Sequence, residues 1–349
     1  MLKSRLAASA ALPFALVALT ACGSPAETPK PEQPSAVSTP PALTREAIEA
    51  AVFEVAPPPA ANGATTPATP DPAIARAQVL LDRANFSPGV IDGLGGDNTR
   101  QAIAAFEKAA GLPEDGVLDA EVFRRLTAGD NGKVLADYVI TAVDLTGPFI
   151  GQVPSDLQAM SKLATVGYAT PLEAFAEKFH MTEGLLRALN PGVDFGKAGQ
   201  TIVVAAVAQT DLAVDVARIV VDKTERSVRA YDADDKLLAF YPATIGSSAR
   251  PAPSGDLSVV GVAPEPNYTY DPDRVSYDRG DRKVIVPPGP NNPVGSVWID
   301  LSRDTYGIHG TPDPSKVGKT FSSGCVRLTN WDAEQLASRV KPGVRVVFR

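Results

Sequence analysis

The chain has 349 residues, 44% of them hydrophobic and 21% charged, which is typical of a globular protein with two or three domains. A formal net charge of −7 argues against nucleic acid as a partner, because binding to phosphates requires a basic face. The two histidines lie far apart and no CxxC pair occurs. We therefore expect no metal site and no cofactor.

The N-terminus has the pattern of an export signal. Lys3 and Arg5 precede an apolar run over residues 6–19, which is short for a membrane span. The run ends in Leu19-Thr20-Ala21-Cys22, which resembles the lipobox of bacterial lipoproteins.

The resemblance implies a signal peptide over residues 1–21, cleavage before Cys22 and lipid attachment to its sulfur. Several acyl chains, at ~0.8 kcal/mol per buried methylene, would hold the protein at a membrane. By analogy with Gram-negative lipoproteins, Gly23 in place of Asp implies a periplasmic protein anchored to the outer membrane. The alternative is ordinary cleavage nearby, which leaves Cys22 as a free thiol.

Residues 22–72 have the composition of a disordered linker. Pro, Ala, Thr, Ser and Glu dominate, and such a segment buries too little apolar surface to offset its ordering entropy. Apolar periodicity over residues 42–55 allows at most a transient helix. The expected role of the linker is to extend the folded part away from the membrane.

Residues 73–128 are predicted to form three helices. Apolar residues from Ile74 to Ala84 fall at helical spacing, and further helices are expected before Gly111 and over residues 121–126. The string Gly89-Val90-Ile91-Asp92-Gly93 and the helix pattern after it resemble a three-helix peptidoglycan-binding domain. The alternative is a packing module that binds no glycan.

Residues 135–207 carry a different pattern. Helices are expected to begin at Thr170-Pro171 and near Met181, and a strand over residues 199–204. This order resembles a LysM module, a binder of N-acetylglucosamine polymers, although no opening strand directly precedes Thr170. His180 is predicted to be a surface or helix-end residue, because no cysteine or acidic cluster accompanies it in the sequence.

Residues 213–349 are mostly strand-like runs rich in Val, Ile, Tyr and Phe. Within them the chain reads His309-Gly310-Thr311-Pro312 and, later, Ser322-Ser323-Gly324-Cys325-Val326-Arg327. A thiol is a useful nucleophile as thiolate, and a nearby imidazole is a common means of forming one. Glycines beside both residues disfavour the alternative of two unrelated core residues.

This pattern resembles the signature of the L,D-transpeptidase catalytic domain, also called the YkuD domain. The resemblance implies a mostly-β sandwich over residues 213–349 of a multidomain α+β protein. It also implies a cysteine-dependent acyltransferase that cross-links peptidoglycan stem peptides through a Cys325 thioester, with His309 as general base and acid. Peptidoglycan and the membrane are thus the expected partners.

Several neighbours of this pair are candidate site residues. In an extended segment Arg327 shares a face with Cys325, where it could bind a substrate carboxylate and depress the thiol pKa; the alternative is a surface salt bridge. The Gly324 and Cys325 amides are candidates for an oxyanion hole. The candidate substrate-binding residues are Gly310, Ser322, Ser323 and Gly324, and the two serines could instead shape the turn. Trp298 and Tyr306 are expected in the core or the pocket wall.

The sequence leaves two other functions open. On the same scaffold, water in place of the amine would give an L,D-carboxypeptidase or amidase. A non-enzymatic lipoprotein that tethers the outer membrane to the wall is the other alternative, and the intact His309, Cys325 and Arg327 argue against it. The sequence does not identify the group that orients His309.

Overall fold

The computed structural model describes residues 43–53, 69–130, 132–207, 211–248, 250–275 and 278–349. The predicted signal peptide, the lipidation site Cys22 and most of the predicted linker lie outside these residues. The described residues belong to one compact unit, Pro40–Arg349. Within them no helix combines the length and apolar character needed to cross a bilayer.

Residues 43–53 differ from the predicted disordered linker. Helix α1 (Arg45–Ala50) begins at Thr44, whose hydroxyl accepts a hydrogen bond from Ala47 N. Ile48 is 1% exposed within the core of the helical unit, and Glu49 Oε1 accepts from Leu135 N at 2.8 Å. The segment is ordered because it docks on a core that other residues build, which its own composition does not reveal.

Three helices form the unit that follows: α2 (Pro72–Arg83), α3 (Asp97–Ala110) and α4 (Ala120–Gly129). Asp71 caps α2 by accepting from Ala73 N at 2.7 Å, and Asp119 caps α4 in the same way. Gly111, with φ of 69°, ends α3 in the left-handed conformation that glycine adopts without a steric cost. The three helices agree with the sequence prediction for residues 73–128.

The next segment is a two-stranded sheet with helices between its strands. Strand β1 (Leu135–Val139) pairs antiparallel with β2 (Thr201–Ala205), and α5 (Leu157–Met160), α6 (Pro171–Lys178) and α7 (Glu183–Leu189) lie between them. An opening strand is therefore present, although it does not directly precede Thr170. Residues 140–170, which include α5, separate it from α6.

The C-terminal domain is mostly β-structure. Its elements in chain order are β3 (Arg218–Asp222), β4 (Ser227–Tyr231), β5 (Leu237–Pro242), β6 (Gly255–Pro264), β7 (Tyr268–Tyr270), β8 (Val284–Val286), β9 (Val297–Leu301), β10 (Gly307–His309), β11 (Val326–Arg327), α8 (Asn330–Ala337) and β12 (Arg345–Phe348). Eight of the strands form a mixed sheet of order β11-β10-β9-β6-β12-β3-β4-β5. Strands β7 and β8 pair as a separate hairpin. The β-rich domain agrees with the prediction.

Strand β6 joins the two halves of this sheet. Gly255–Ser258 pairs with β12, and Val259–Pro264 pairs with β9 after a register shift between Val259 and Gly261. Such a bulge lets one strand bend from one layer of a sandwich toward the next. The half that contains β9, β10 and β11 carries His309 and Arg327, and β11 is its edge strand.

Buried polar residues connect the three parts of the unit. Ser87 Oγ donates to Asp332 Oδ2 at 3.0 Å, and His180 Nδ1 bonds Asp82 Oδ2 at 2.8 Å. These groups line a cavity of about 330 Å³ between the helical unit, α6 and α8. Burial raises the pKa of Asp332 to about 7, and the nearby Asp82 adds to the rise, whereas Thr329, Ser87 and His180 oppose it.

We expect Asp332→Asn to change how stability depends on pH. The folded state binds the Asp332 proton more tightly than the unfolded chain does, so this group contributes stability at acid pH that is lost as pH rises from about 4 to about 7. The variant should therefore gain stability relative to the wild type across that range, by roughly 4 kcal/mol at most. Urea unfolding at several pH values measures it, with the exposed Asp234→Asn as control. Parallel stability curves for wild type and Asp332→Asn would contradict the assignment.

Removing the Ile48 side chain tests whether α1 is docked. Ile48→Ala deletes a buried aliphatic group and should cost about 2 kcal/mol or more. It should also make residues 43–53 a faster site of proteolysis. Val52→Ala, at a position that is 63% exposed, is the matched control and should leave both the melting temperature and the cleavage rate near those of the wild type. Equal behaviour of the two variants would mean that α1 does not pack.

Candidate active site

Parallel pairing of β10 with β11 brings the candidate residues together. His309 lies opposite Arg327 and Ile308 opposite Val326. Cys325 directly precedes β11, and Arg327 lies within it. Together with His309 they line a cavity of about 620 Å³ that also has Trp298 and Tyr306 in its wall.

Two contacts hold the His309 ring: a stacked indole on its face and a hydrogen bond at Nδ1. It is 2% exposed and stacks on Trp298 with ring centroids 5.3 Å apart. Nδ1 lies 2.6 Å from the Gly310 carbonyl oxygen. A carbonyl only accepts, so Nδ1 carries the hydrogen and Nε2 is left as the nitrogen that can take a proton. This carbonyl is the orienting group that the sequence did not identify.

Burial shifts the pKa values of both His309 and Cys325. Burial lowers the pKa of His309 to about 3 and the Arg327 charge adds to this, against the opposing effect of the Gly310 and Val294 backbone. Burial likewise raises the pKa of the Cys325 thiol, although the Gly307 backbone and Arg327 oppose it. The resting pair is therefore a neutral thiol and a neutral imidazole. Desolvation penalises the charged form of each group.

The thiol is accessible rather than sealed in the core. Cys325 is half-buried and lines the cavity, and its Sγ lies 3.6 Å from the carbonyl oxygen of Thr305. Thr305 has φ of 68° in the turn between β9 and β10, a conformation that is rare for a β-branched residue. No sequence signal pointed to Thr305, since a glycine or asparagine is usual in that conformation.

Hydrogen bonds within the Ser322–Gly324 turn engage two of the predicted substrate-binding residues, Ser322 and Gly324. Ser322 is buried; its hydroxyl donates to Cys325 O and accepts from Gly324 N at 3.2 Å. The Ser322 side chain therefore shapes the turn, and the Gly324 N–H is already engaged. Gly324 has φ of 119° and packs against Tyr306. Ser323 lines the cavity and accepts from Arg250 Nη1 at 3.2 Å.

Gly310, a predicted substrate-binding residue, lies against the side chain of Asn330. A Cβ at this position would lie 2.1 Å from Asn330 Oδ1, so glycine is required for the approach of that side chain. Asn330 is 2% exposed and accepts a hydrogen bond from Thr311 N at 3.0 Å. Sequence analysis missed Asn330 because its partners are distant in the chain.

The cavity wall opposite the sheet comes from the β7–β8 hairpin and its connections. Charged groups at the rim include Asp271, Arg274, Asp300 and Asp304. Arg274 bonds Asp304 at 2.7 Å between the hairpin connection and the β9–β10 turn. The rim therefore carries both signs of charge.

His180 lies outside this cavity. It follows the end of α6 with φ of 56°, as a helix-end residue, but it is 9% exposed and so is not on the surface. Its ring stacks on Trp331 at 4.8 Å. The acidic partners Asp82 and Asp332 come from other elements, which is why the sequence around His180 did not show them. No cluster of metal-ligating residues occurs in the described ranges.

The pH dependence of Cys325 alkylation tests the neutral pair. In a Cys22→Ser background, iodoacetamide should react with a midpoint above that of an ordinary free thiol, because burial raises the Cys325 pKa. Arg327→Met should move the midpoint further up, since the cation that favours the thiolate is lost. The exposed Arg345→Met is the control and should match the wild type. Fast alkylation that stays constant down to about pH 5 would instead indicate a preformed ion pair.

Two family models match parts of this chain. The family model YkuD, an L,D-transpeptidase catalytic domain, matches residues 216–348, and the model of a putative peptidoglycan binding domain matches residues 70–126. The putative L,D-transpeptidase YkuD of Bacillus licheniformis is 33% identical over 177 residues, which cover 50% of this chain and 91% of that protein.

Two further matches cover a smaller part of the matched protein. The probable L,D-transpeptidase ErfK/SrfK of Escherichia coli is 33% identical over 184 residues, 50% of this chain and 58% of that protein. A solved structure of an L,D-transpeptidase from Mycobacterium smegmatis aligns with a TM-score of 0.32 at 18% identity, over 38% of this chain and 57% of that chain. On the sequence matches, the chain belongs to the YkuD family of L,D-transpeptidases and carries a peptidoglycan-binding domain.

Proposed function

We propose that the protein is an L,D-transpeptidase that joins peptidoglycan stem peptides through a Cys325 thioester. The observation that carries this proposal is the shared cavity: a half-buried thiol and a tautomer-fixed imidazole line the same 620 Å³ space. Its volume is that of a site for a peptide-sized ligand. Membership of the family supplies the reaction class.

Acylation begins from the neutral pair. As Sγ of Cys325 attacks the scissile carbonyl, its proton passes to Nε2 of His309, so that the charges form only in the transition state. The S–C bond then stays while the C–N bond breaks, and His309 returns the proton to the departing D-alanine amine. The Gly310 carbonyl stabilises the transient imidazolium through Nδ1–H.

Transfer follows with the same groups. The amine of a second stem peptide attacks the thioester, His309 accepts a proton from that amine, and the proton finally returns to the departing thiolate. The Cys325 backbone N–H is the proposed oxyanion donor, since the Gly324 N–H is engaged by Ser322. Arg327 is placed to bind a carboxylate of the stem peptide, and Ser323 lines the same cavity.

The accessory parts are proposed to bind glycan. Residues 135–207 are proposed to be a LysM-like module, because β1, α6, α7 and β2 have the strand–helix–helix–strand order of that fold.

The location of the protein is also a proposal. A signal peptide over residues 1–21, a lipid on Cys22 and a linker would place the folded unit in the periplasm, anchored to the outer membrane. Its substrate and the peptidoglycan-binding domain both support a position next to the cell wall. Globomycin-sensitive processing and a mass increase on the Cys22 peptide would test the anchor.

A covalent adduct tests the enzyme assignment. After incubation with a carbapenem, intact-mass analysis should show a single adduct on the wild type and on Cys22→Ser, and none on Cys325→Ala. An equal adduct on Cys325→Ala would refute the assignment, and no adduct on the wild type would favour a wall-tethering protein.

Muropeptide analysis separates transfer from hydrolysis. Incubation with tetrapeptide muropeptides should give cross-linked dimers with the wild type and unchanged substrate with Cys325→Ala. Trimmed monomers without dimers would show that water is the acceptor and would assign a carboxypeptidase instead.

A further inference from the structure

The orientation of the proposed base depends on one peptide group. The Gly310 carbonyl that accepts from His309 Nδ1 and the Thr311 N–H belong to the same planar peptide unit. Thr311 N donates to Asn330 Oδ1 at 3.0 Å. The Asn330 side chain therefore sets the plane of the carbonyl that holds the imidazole.

The Asn330 amide is fully engaged, and its direction is fixed by its partners. Oδ1 also accepts from Ser296 N at 3.2 Å, and Nδ2 donates to Pro290 O at 3.1 Å and to Glu177 Oε1 at 2.6 Å. A flipped amide would set N–H groups against N–H groups and carbonyl oxygens against oxygens. A Cβ at Gly295 or Gly310 would lie 2.1 Å from Oδ1, so both glycines admit this side chain.

One of these partners comes from outside the catalytic domain. Glu177 lies on α6 of the preceding module, and its contact with Asn330 joins residues 153 positions apart. Burial raises the pKa of Glu177 to about 8, with Glu173 and Glu334 adding to the rise and Asn330 and Tyr168 opposing it. Near neutral pH a glutamine is thus a close substitute for this side chain.

We propose that Asn330 is a positioning residue for the His309–Cys325 pair and that Glu177 holds Asn330 in place from the preceding module. The inference rests on the proposed function. It makes the module part of the support of the catalytic base, in addition to any role in binding glycan.

The test compares four variants of the full chain: Asn330→Ala, Glu177→Ala, Glu177→Gln and Asn98→Ala. Asn98 is the matched control, because this buried asparagine also joins an accessory domain to the catalytic domain, but through Val317 O at 2.9 Å. Two readouts are taken: the rate constant of carbapenem acylation, separated from apparent affinity, and the imidazole N–H resonance of His309. With only two histidines in the chain, His309→Gln assigns that resonance.

Asn330→Ala should slow acylation by about 10- to 100-fold at similar apparent affinity, as expected when a reacting group is displaced by roughly 1 Å. Its His309 N–H signal should shift or broaden. Glu177→Ala should show a smaller loss of the same kind, and Glu177→Gln should stay near the wild type. Asn98→Ala should lower the melting temperature without moving the His309 signal.

Two results would overturn the proposal. Wild-type acylation and an unmoved His309 signal in Asn330→Ala would show that Asn330 does not position the base. Identical behaviour of Glu177→Ala and Asn98→Ala would show that Glu177 contributes docking only. If Asn330→Ala does not fold, Asn330→Ser replaces it: its shorter side chain cannot reach Thr311 N and Glu177 together, so it should slow acylation and shift the His309 signal as expected for Asn330→Ala. Failure of wild-type acylation would instead reject the proposed function itself.

Discussion

The hydrogen bond from His309 Nδ1 to the Gly310 carbonyl is the contact on which the site depends. In a neutral imidazole one nitrogen carries hydrogen and the other accepts it, so this bond decides which nitrogen can act as a base. The ring is also stacked on Trp298 and almost wholly buried, so packing restricts its rotation. A carbonyl in this role adds no charge, and so it leaves the imidazole neutral at rest.

Burial then explains the resting chemistry. Both members of the pair lie where a charged form loses hydration, so the pKa of the imidazole falls and that of the thiol rises. The Arg327 charge lowers the pKa of both groups, so it favours the thiolate but disfavours the imidazolium. A neutral pair avoids a buried ion pair at rest, and in the proposed mechanism charge develops only as the thiol attacks a carbonyl.

The sequence predicts the local parts of this arrangement and not the distant ones. The His309–Cys325–Arg327 pattern was readable because its residues lie within one short stretch, and the three helices of residues 73–128 were readable from spacing and caps. The link from Asn330 to Glu177 and the partners of His180 join residues remote in the chain, which a single sequence does not reveal. The docking of α1 likewise depends on a surface made elsewhere. The neutral state of the pair depends on burial, which is a property of the folded protein.

The module before the catalytic domain also packs against the β7–β8 hairpin, which lines the cavity. Residues 140–170 pack Leu157, Met160 and Val166 against Tyr270, Val284 and Val286 of the β7–β8 hairpin. Val166 N donates to Pro288 O at 2.9 Å, and a Cβ at Gly289 would lie 2.3 Å from Val166 O. The hairpin forms part of the wall around Cys325, and an isolated two-stranded hairpin is marginally stable in water. Packing against residues 140–170 therefore stabilises the hairpin. The Gly310 carbonyl that accepts from His309 is likewise linked to α6, through Asn330 and Glu177. Both the base and the wall of the site are thus tied to residues that precede the catalytic domain in the chain.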